Sequence, residues 1–332
     1  MRVAVIGATG VVGETILRVL EERNVDVDVL LGYASRAREN AFVFQGKPQP
    51  VAAATTERII ADRPHVAFFA SSDDASAEMA RALAAAGIVV IDNSATFRLD
   101  PNCPLVIPEV NPQAVKPEHM IFPVGNCTAI VLCMALAPIE RAVGLADVHV
   151  ATYQAVSGAG RAGLDALAAE EGGAEPDGTF AAPILRNVVP QIGSFTGIGD
   201  SGEESKVVAE TRKTLNRPDL GVAAICVRVP VRTAHSEAVF FKTERPTSVE
   251  ELGQALAAAE GVVYHDTGIV TPIDVEGKDV VHVARLRAEN PLEDTEFMMW
   301  VVGDQLRKGA ATNGVQILEL LVRQGRFAAV AS

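Results

Sequence analysis

Residues 3–13 read VAVIGATGVVG, and this stretch decides the fold expected for the N-terminal half of the chain. The apolar run Val3 to Ile6 predicts a buried strand, three glycines in the spacing GxxGxxG follow it, and the periodic run Glu14 to Arg23 predicts a helix. A glycine turn between a strand and a helix lets backbone N–H groups approach a pyrophosphate at the helix N-terminus. The spacing differs from the commoner GxGxxG, so a purely structural turn remains the alternative. The candidate cofactor-binding residues are Gly7, Thr9, Gly10, Val11, Val12 and Gly13.

Strand-like runs recur along the first half, at residues 27–31, 66–70, 88–91 and 105–107. An alanine-rich helical stretch at 75–86 separates two of them. This alternation predicts an α/β protein with an N-terminal Rossmann-like, doubly wound parallel sheet. We expect the dinucleotide-binding domain to span residues 1–126 and to be completed by a C-terminal helix at 310–332. The periodic stretch Asp304 to Arg323 predicts one long helix at this end of the chain.

The pattern changes after Cys127 to long runs with a period of two. These runs lie at residues 148–156, 222–231, 237–243, 280–287 and 297–302. They predict an α+β catalytic and dimerisation domain over residues 127–309, built on a mostly antiparallel sheet. Residues 172–202 are rich in Gly, Pro and small polar side chains, so we interpret them as a long excursion and a candidate subunit interface.

Composition excludes several classes of protein. The 332 residues are 48% hydrophobic and 21% charged, as in soluble globular chains, and no apolar run approaches the roughly 20 residues of a membrane-spanning helix. Because the N-terminus enters a strand without the charged start of a signal peptide, we expect a cytoplasmic location. The net charge of -13 argues against binding to nucleic acid. The four cysteines lack the paired spacing of zinc sites, so we expect reduced thiols and no metal.

The segment after the second strand bears on the choice of cofactor. NAD enzymes usually place an acidic residue there for the ribose hydroxyls, but this chain has Ser35, Arg36 and Arg38. Hydroxyl and guanidinium groups match a 2′-phosphate better, which favours NADP over NAD. The alternative is that these arginines are solvated loop charges.

Cys127 is the candidate nucleophile. It lies in Gly125-Asn126-Cys127-Thr128, directly before the apolar helical run 129–139. A helix N-terminus favours the thiolate form of cysteine. The alternative, a small buried core cysteine, fits Cys133 better because Cys133 lies inside the apolar run.

A second candidate group follows on the strand around Arg228. The alternation in residues 226–232 puts three valines on one face and Arg228 on the other, so that the arginine can face a cleft. The same segment delivers His235 a short distance beyond. A histidine in this position is often only a surface residue.

These motifs together resemble those of the aspartate-β-semialdehyde dehydrogenase family, from the GATGVVG loop to the C-terminal helix. The matching segments are NSATFR at 93–98, GNCT at 125–128, TYQAVSGAG at 152–160, EESK at 203–206 and VRVPVRTAHS at 227–236. The resemblance implies Cys127 as nucleophile, His235 as its acid/base, Gln154 as the side chain that orients the covalent intermediate, and Arg228 as the holder of the substrate carboxylate.

The resemblance also implies the remaining binding residues. Arg98 and Lys206 would bind phosphate, and Glu203 would meet the substrate amino group. Glu203 and Lys206 are three residues apart on a predicted helix and can face one site, although on the residues alone a surface ion pair is the alternative. The residues expected to line the nicotinamide pocket are Ser157, Gly158 and Gln305.

The implied reaction is the NADPH-dependent reductive dephosphorylation of L-aspartyl-4-phosphate to L-aspartate 4-semialdehyde through a Cys127 thioester, in lysine, threonine and methionine biosynthesis, by a homodimer. Two alternatives remain: an N-acetyl-γ-glutamyl-phosphate reductase, and a catalytically silent NADP-binding paralogue. The chain departs from the family pattern in two places. Ser35-Arg36-Ala37-Arg38 replaces a serine-arginine-serine pattern, and Ala234 stands where a glycine commonly precedes the histidine.

Overall fold

The computed structural model describes residues 1–289 and 294–327, and the chain divides into two compact units. One unit comprises residues 1–125 and the C-terminal segment from Ala310, and the other comprises residues 126–309. Residues 328–332, which the sequence assigns to the C-terminal helix, lie outside the described residues. Among the described residues, no helix is both long and apolar enough to cross a membrane.

The N-terminal unit is built on a sheet of seven described strands. They are β1 (Arg2–Ile6), β2 (Val29–Ala34), β3 (Arg38–Phe44), β4 (Lys47–Ala53), β5 (Val66–Phe69), β6 (Val89–Asp92) and β7 (Ile121–Pro123). Their order is β3-β4-β2-β1-β5-β6-β7, and neighbours are parallel except for the pair β3 and β4. The predicted doubly wound parallel sheet is confirmed.

The second unit is built on a sheet of six described strands. They are β8 (Leu145–Gln154), β9 (Gly221–Arg228), β10 (His235–Thr243), β11 (Val262–His265), β12 (Val281–Ala288) and β13 (Glu296–Gly303). The order is β11-β12-β13-β10-β8-β9, with three antiparallel and two parallel pairs. The predicted mostly antiparallel second sheet is therefore also confirmed.

Helices accompany both sheets. The described α-helices are α1 (Val11–Glu22), α2 (Thr56–Asp62), α3 (Asp73–Ala85), α4 (Cys127–Val143), α5 (Gly160–Glu171), α6 (Gly202–Leu215), α7 (Val249–Ala257), α8 (Pro272–Val275) and α9 (Thr312–Arg323). In the N-terminal unit, α1 buries Ile16, Leu17 and Leu20 through its apolar side. In the second unit, α4 is buried along most of its length and packs against α6, α7 and β13.

The predicted strand at residues 105–107 is wrong. The three side chains are buried, but side-chain amides rather than a neighbouring strand satisfy their backbone. Asn111 accepts from the N–H of Ile107 at 2.8 Å and donates to the carbonyl of Leu105 at 2.9 Å, while Asn313 donates to the carbonyl of Val106 at 2.9 Å. An apolar run marks burial, and burial alone does not decide how the backbone is bonded.

The single long helix predicted from Asp304 is also not observed. A π-helical turn at Arg307–Ala311 precedes α9, which begins at Thr312. The carboxylate of Asp304 accepts from the N–H groups of Leu306 and Arg307 at 2.9 and 3.2 Å. This side-chain competition for backbone donors makes the chain turn before the helix starts.

Candidate active site

Cys127 is the first residue of α4, as the sequence predicts, and its side chain is half-buried. The preceding Asn126 caps the helix, because its Oδ1 accepts from the N–H groups of Thr128 and Ala129 at 3.0 and 3.1 Å. The positive end of the helix dipole therefore lies at the thiol, where it favours thiolate. By contrast, burial raises the pKa of the Cys133 thiol to about 12, which agrees with its interpretation as a core residue.

The fully buried imidazole of His235 faces this thiol. Its Nε2 lies 3.5 Å from Sγ of Cys127, and its Nδ1 accepts from the backbone N–H of Ala155 at 3.1 Å. Because Nδ1 is an acceptor, the neutral ring carries its proton on Nε2 and points it at the sulfur. Burial, followed by the charge of Arg228, holds the pKa of His235 well below its usual range. His235 is thus a neutral hydrogen-bond donor at this site.

Arg228 lies on the same face of the second sheet as His235. The register of β8 and β9 pairs Arg228 with Gln154, and β10 places His235 at the same end of the sheet. Arg228 is 5% exposed, and its Nη1 donates to the carbonyl of Ala155 at 2.7 Å. Within the part of the chain that the structure describes, no carboxylate forms an ion pair with it. Burial lowers the pKa of Arg228, and the nearby Cys127 and Glu203 partly offset this effect. A buried guanidinium without a direct ion pair favours an anionic ligand.

Glu203 connects three elements around these groups. Its Oε1 accepts from Asn126 Nδ2 at 2.9 Å and from Gln154 Nε2 at 3.0 Å, which ties α6 to α4 and β8. Thr152 Oγ1 in turn donates to Gln154 Oε1 at 3.0 Å, so the orientation of that amide is fixed. Oε2 of Glu203 makes no hydrogen bond with any residue in the described ranges. The sequence does not identify Asn126, whose contact with Glu203 joins distant segments. It also does not identify Thr152, although Thr152 lies two residues before Gln154 on the same face of β8, a spacing that could have indicated the contact.

Gln305 contacts the chain directly before His235. Its Oε1 accepts from the backbone N–H of Ala234 at 2.7 Å, and its Nε2 donates to Ser157 Oγ at 2.5 Å. A Cβ on Gly158 would lie 2.6 Å from Arg228 Nη1 and 3.2 Å from Cε1 of His235. The structure therefore brings Gly158 to the imidazole and ties Ser157 and Gln305 to the backbone of the residue before it.

Two predicted phosphate-binding residues lie in different units. Lys206 is exposed on α6, three residues after Glu203, and forms no hydrogen bond or ion pair with the described residues. Arg98 belongs to the N-terminal unit, where its guanidinium donates to the carbonyls of Val124 and Asn93 at 2.9 and 2.8 Å. Their shared role stays a prediction.

The glycine loop of the N-terminal unit fits a dinucleotide. Gly7 has a φ of +86°, and a Cβ there would lie 2.3 Å from the carbonyl oxygen of Ala70. A Cβ on Gly13 would lie 2.1 Å from the carbonyl oxygen of Gly7, so only glycine lets α1 approach the loop this closely. No side chain caps α1 at Gly10, which leaves its first N–H groups available to a phosphate.

Of the three residues proposed for the 2′-phosphate, one contacts this loop. Arg38 Nη2 donates to Thr9 Oγ1 at 2.8 Å. Ser35 and Arg36 are exposed and form no hydrogen bond with residues in the described parts of the chain. The contact favours Arg38 over Arg36 as the residue nearest the loop.

Comparisons with known protein families match both units. Residues 2–117 match the NAD binding domain of semialdehyde dehydrogenases, and residues 136–308 match the semialdehyde dehydrogenase dimerisation domain. The chain is 43% identical to aspartate-semialdehyde dehydrogenase of Aquifex aeolicus, over 98% of both chains, and 38% identical to that of Bacillus subtilis, over 97% of both.

Solved structures agree with these matches. Aspartate semialdehyde dehydrogenase II of Vibrio cholerae, complexed with ASA, superposes with a TM-score of 0.90 at 42% identity, covering 97% of this chain and 98% of the other. A probable aspartate-semialdehyde dehydrogenase from Pseudomonas aeruginosa gives a TM-score of 0.86 at 28% identity, with 96% and 98% covered.

Proposed function

The chain belongs to the aspartate-semialdehyde dehydrogenase family, and we propose that it catalyses the reversible, NADPH-dependent conversion of L-aspartyl-4-phosphate to L-aspartate 4-semialdehyde through a thioester on Cys127. The observation that carries this proposal is the contact of 3.5 Å between the Cys127 thiol, at a helix N-terminus, and Nε2 of the buried His235, beside the buried guanidinium of Arg228. The same site serves the reaction in both directions.

NADP is the proposed cofactor. The glycine loop and the open N-terminus of α1 would hold the pyrophosphate, and Arg38 at Thr9 would meet the 2′-phosphate. Gly158, which contacts His235, and the linked pair Ser157 and Gln305 would line the nicotinamide side. When bound, the reduced cofactor supplies the hydride that converts the thioester to the aldehyde level.

Cys127 and His235 perform the covalent steps. The thiolate attacks the acyl carbon, the C–S bond forms, and the bond from carbon to the phosphate oxygen breaks to release phosphate. The carbonyl oxygen becomes an oxyanion during attack and again after reduction, and Nε2–H of His235 is a suitable donor to it. Cleavage of the C–S bond then returns Cys127 as thiolate and releases the aldehyde. His235 thus acts as a fixed hydrogen-bond donor. The acid/base role implied by the family resemblance would instead require the hydrogen bond from the Ala155 N–H to Nδ1 of His235 to break.

Arg228 and Glu203 would read the two ends of the amino acid. The buried guanidinium would bind the α-carboxylate, and Oε2 of Glu203 would accept from the ammonium group. Arg98 and Lys206 would bind the phosphate. A free ammonium suits the Glu203 carboxylate, whereas the acetamide of an N-acetylated substrate would gain little from it.

A phosphate-dependent assay tests the proposal. We expect NADP reduction with L-aspartate semialdehyde to require inorganic phosphate, to exceed the rate with NAD, and to be abolished in Cys127→Ser. A preference for N-acetyl-glutamate semialdehyde would overturn the substrate assignment. Binding of NADPH without phosphate-dependent turnover or a substrate-dependent mass shift on Cys127 would instead indicate a silent paralogue.

A homodimer in the cytoplasm completes the proposal. The face of the second sheet opposite His235 exposes the apolar side chains of Tyr153, Ile225 and Phe240, which are 40%, 59% and 40% accessible. An open apolar sheet face in a unit that matches a dimerisation domain supports pairing with a second copy. The excursion at 172–202 also contacts the proposed site, because Val189 exchanges backbone hydrogen bonds with Arg228 at 2.8 and 2.9 Å.

A further inference from the structure

Gly309 lies in the π-helical turn Arg307–Ala311 and packs directly against Cys127. A Cβ placed on Gly309 would be 3.0 Å from Cβ of Cys127, 3.3 Å from its Cα and 3.4 Å from its carbonyl oxygen. We propose that Gly309 is a positioning residue, whose missing side chain lets the π-helical turn hold the Cys127 thiol at its contact with His235.

The space at Gly309 explains the glycine better than its backbone conformation does. Gly309 is not among the residues with positive φ, so an alanine is compatible with its backbone. The extra residue of a π-helical turn shifts the chain sideways relative to an α-helix, and such turns are frequent at functional sites. Here the shift puts backbone without a side chain against the nucleophile.

Neither side of this contact can move easily. On one side, Asn126 is held by Glu203 and Glu210 and caps the buried helix α4 that carries Cys127. On the other side, the N–H of Gly309 donates to the carbonyl of Asp304 at 3.1 Å, and the Asp304 carboxylate accepts from Gly277 at 2.7 Å. An added methyl group would therefore move Cys127 itself by a few tenths of an ångström.

Such a displacement would affect reactivity at the sulfur. The distance between Sγ and Nε2 is 3.5 Å, so a further separation weakens the hydrogen bond that stabilises thiolate and oxyanion. Since a misplacement of about 1 Å can reduce the rate on the order of 100-fold, we expect roughly a tenfold loss from the smaller shift.

The test is Gly309→Ala, with Gly314→Ala as the matched control. A Cβ on Gly314, in α9, would lie 3.5 Å from Ile91 and Val124, which is an ordinary contact. Alkylation of Cys127 by iodoacetamide, followed by mass spectrometry across pH, reports on the thiol without any substrate. Cys127→Ser serves as the blank, because Cys103, Cys133 and Cys226 are buried.

We expect Gly309→Ala to lower the alkylation rate and kcat by about tenfold with KM within about twofold, and Gly314→Ala to match the parent protein. Alkylation and kcat of Gly309→Ala both within twofold of the parent would overturn the proposal. Because alkylation needs no substrate, it tests Gly309 even if the proposed reaction is wrong.

A double-mutant cycle that measures stability keeps the test valid if Gly309→Ala folds poorly. Cys127→Gly removes the Cβ that the new methyl group would meet. We expect Gly309→Ala to lower Tm, or to prevent folding, in the parent, and to do so distinctly less in the Cys127→Gly background. An equal loss in both backgrounds would show that the two positions are not coupled and would contradict the proposal.

Discussion

Ala155 donates its backbone N–H to Nδ1 of His235, and this contact leaves the ring proton on Nε2, facing Cys127. The groups that face the imidazole are the Cys127 thiol, the Arg228 guanidinium and backbone of the β8 end. Burial and the nearby positive charge disfavour an imidazolium. A side chain that only presents an N–H at the position of Nε2 would therefore replace much of its function.

We expect His235→Gln to retain clearly more activity than His235→Ala, which should lose roughly 100- to 10,000-fold in kcat. We also expect kcat/KM of the parent enzyme to show no inflection from His235 near pH 6.5, because its folded-state pKa lies well below that value. Since the unfolded imidazole binds a proton below about pH 6.5 and the folded one does not, this group lowers stability as pH falls through that range. An inflection near pH 6.5 that disappears in His235→Gln would contradict the neutral-donor interpretation.

Ala234, one residue before the imidazole, is strained. It has a φ of +70°, and Gln305 holds its N–H at 2.7 Å. A left-handed conformation costs an L-residue roughly 1–2 kcal/mol, which glycine avoids at an entropic cost of about 0.5–1 kcal/mol. We expect Ala234→Gly to raise the free energy of unfolding by up to about 1 kcal/mol, measured in urea, with activity within twofold.

Ala238, on the strand β10 that follows Ala234, provides the control for this substitution. It is not among the residues with positive φ, so Ala238→Gly should destabilise by about 0.5–1 kcal/mol. Equal destabilisation by both substitutions would show that Ala234 is not strained.

At the scale of the element, β10 carries two buried titratable groups on one face, His235 and Glu237. Glu237 pairs with Thr152 in the register of β8 and β10. This pair lies two residues along the two strands from Gln154 and His235, on the same face of the sheet. Neither of its carboxyl oxygens has a hydrogen-bond partner among the described residues, and burial raises its pKa well above the usual range. The mechanism does not use this group, and it affects stability instead.

We expect Glu237→Gln to change how stability depends on pH. The unfolded carboxyl ionises near pH 4.5 and the folded one only at much higher pH, so the unfolded state binds fewer protons and stability falls as pH rises above about 4.5. The glutamine variant lacks this slope and should gain stability relative to the parent between pH 5 and pH 8 in urea unfolding. Parallel stability curves for the two proteins would contradict this.

The extent to which the elements can be predicted from sequence follows from their patterns. Strands buried on one or both faces, such as β1, β5 and β10, have runs of apolar or alternating residues that identify them. The edge strand β3 and its neighbour β4 are not predicted, because both are largely exposed and β4 contains two prolines. The position of Cys127 at a helix start is local and was predicted. The roles of Asn126, Glu203 Oε1 and Gly309 depend on contacts between distant segments, which a single sequence does not show.

At the scale of the whole molecule, the net charge of -13 contrasts with the anionic substrates proposed. Recognition must therefore depend on a few local cations, of which Arg228 is buried. The open apolar face of the second sheet is a separate large-scale feature, and it supports the proposed homodimer.

We expect Ile225→Glu to convert the dimer to a monomer, because it would bury a charge in the proposed interface. Sedimentation velocity measures the assembly directly. Val43→Glu, at a 62% exposed position on β3 of the N-terminal unit, is the control and should leave it unchanged. A monomeric parent protein, or a dimeric Ile225→Glu protein, would contradict the assignment of this face.

The return of α9 to the N-terminal unit has a consequence for how the chain matures during synthesis. Arg23 on α1 binds Glu319 on α9 through two hydrogen bonds of 2.8 Å, and Asn313 supplies the partner for the carbonyl of Val106. Because α9 is translated after residues 126–309, the N-terminal unit is begun before the second unit and completed after it. Since compact units generally fold as units, we expect residues 126–309 to fold during synthesis before α9 completes the core of the N-terminal unit.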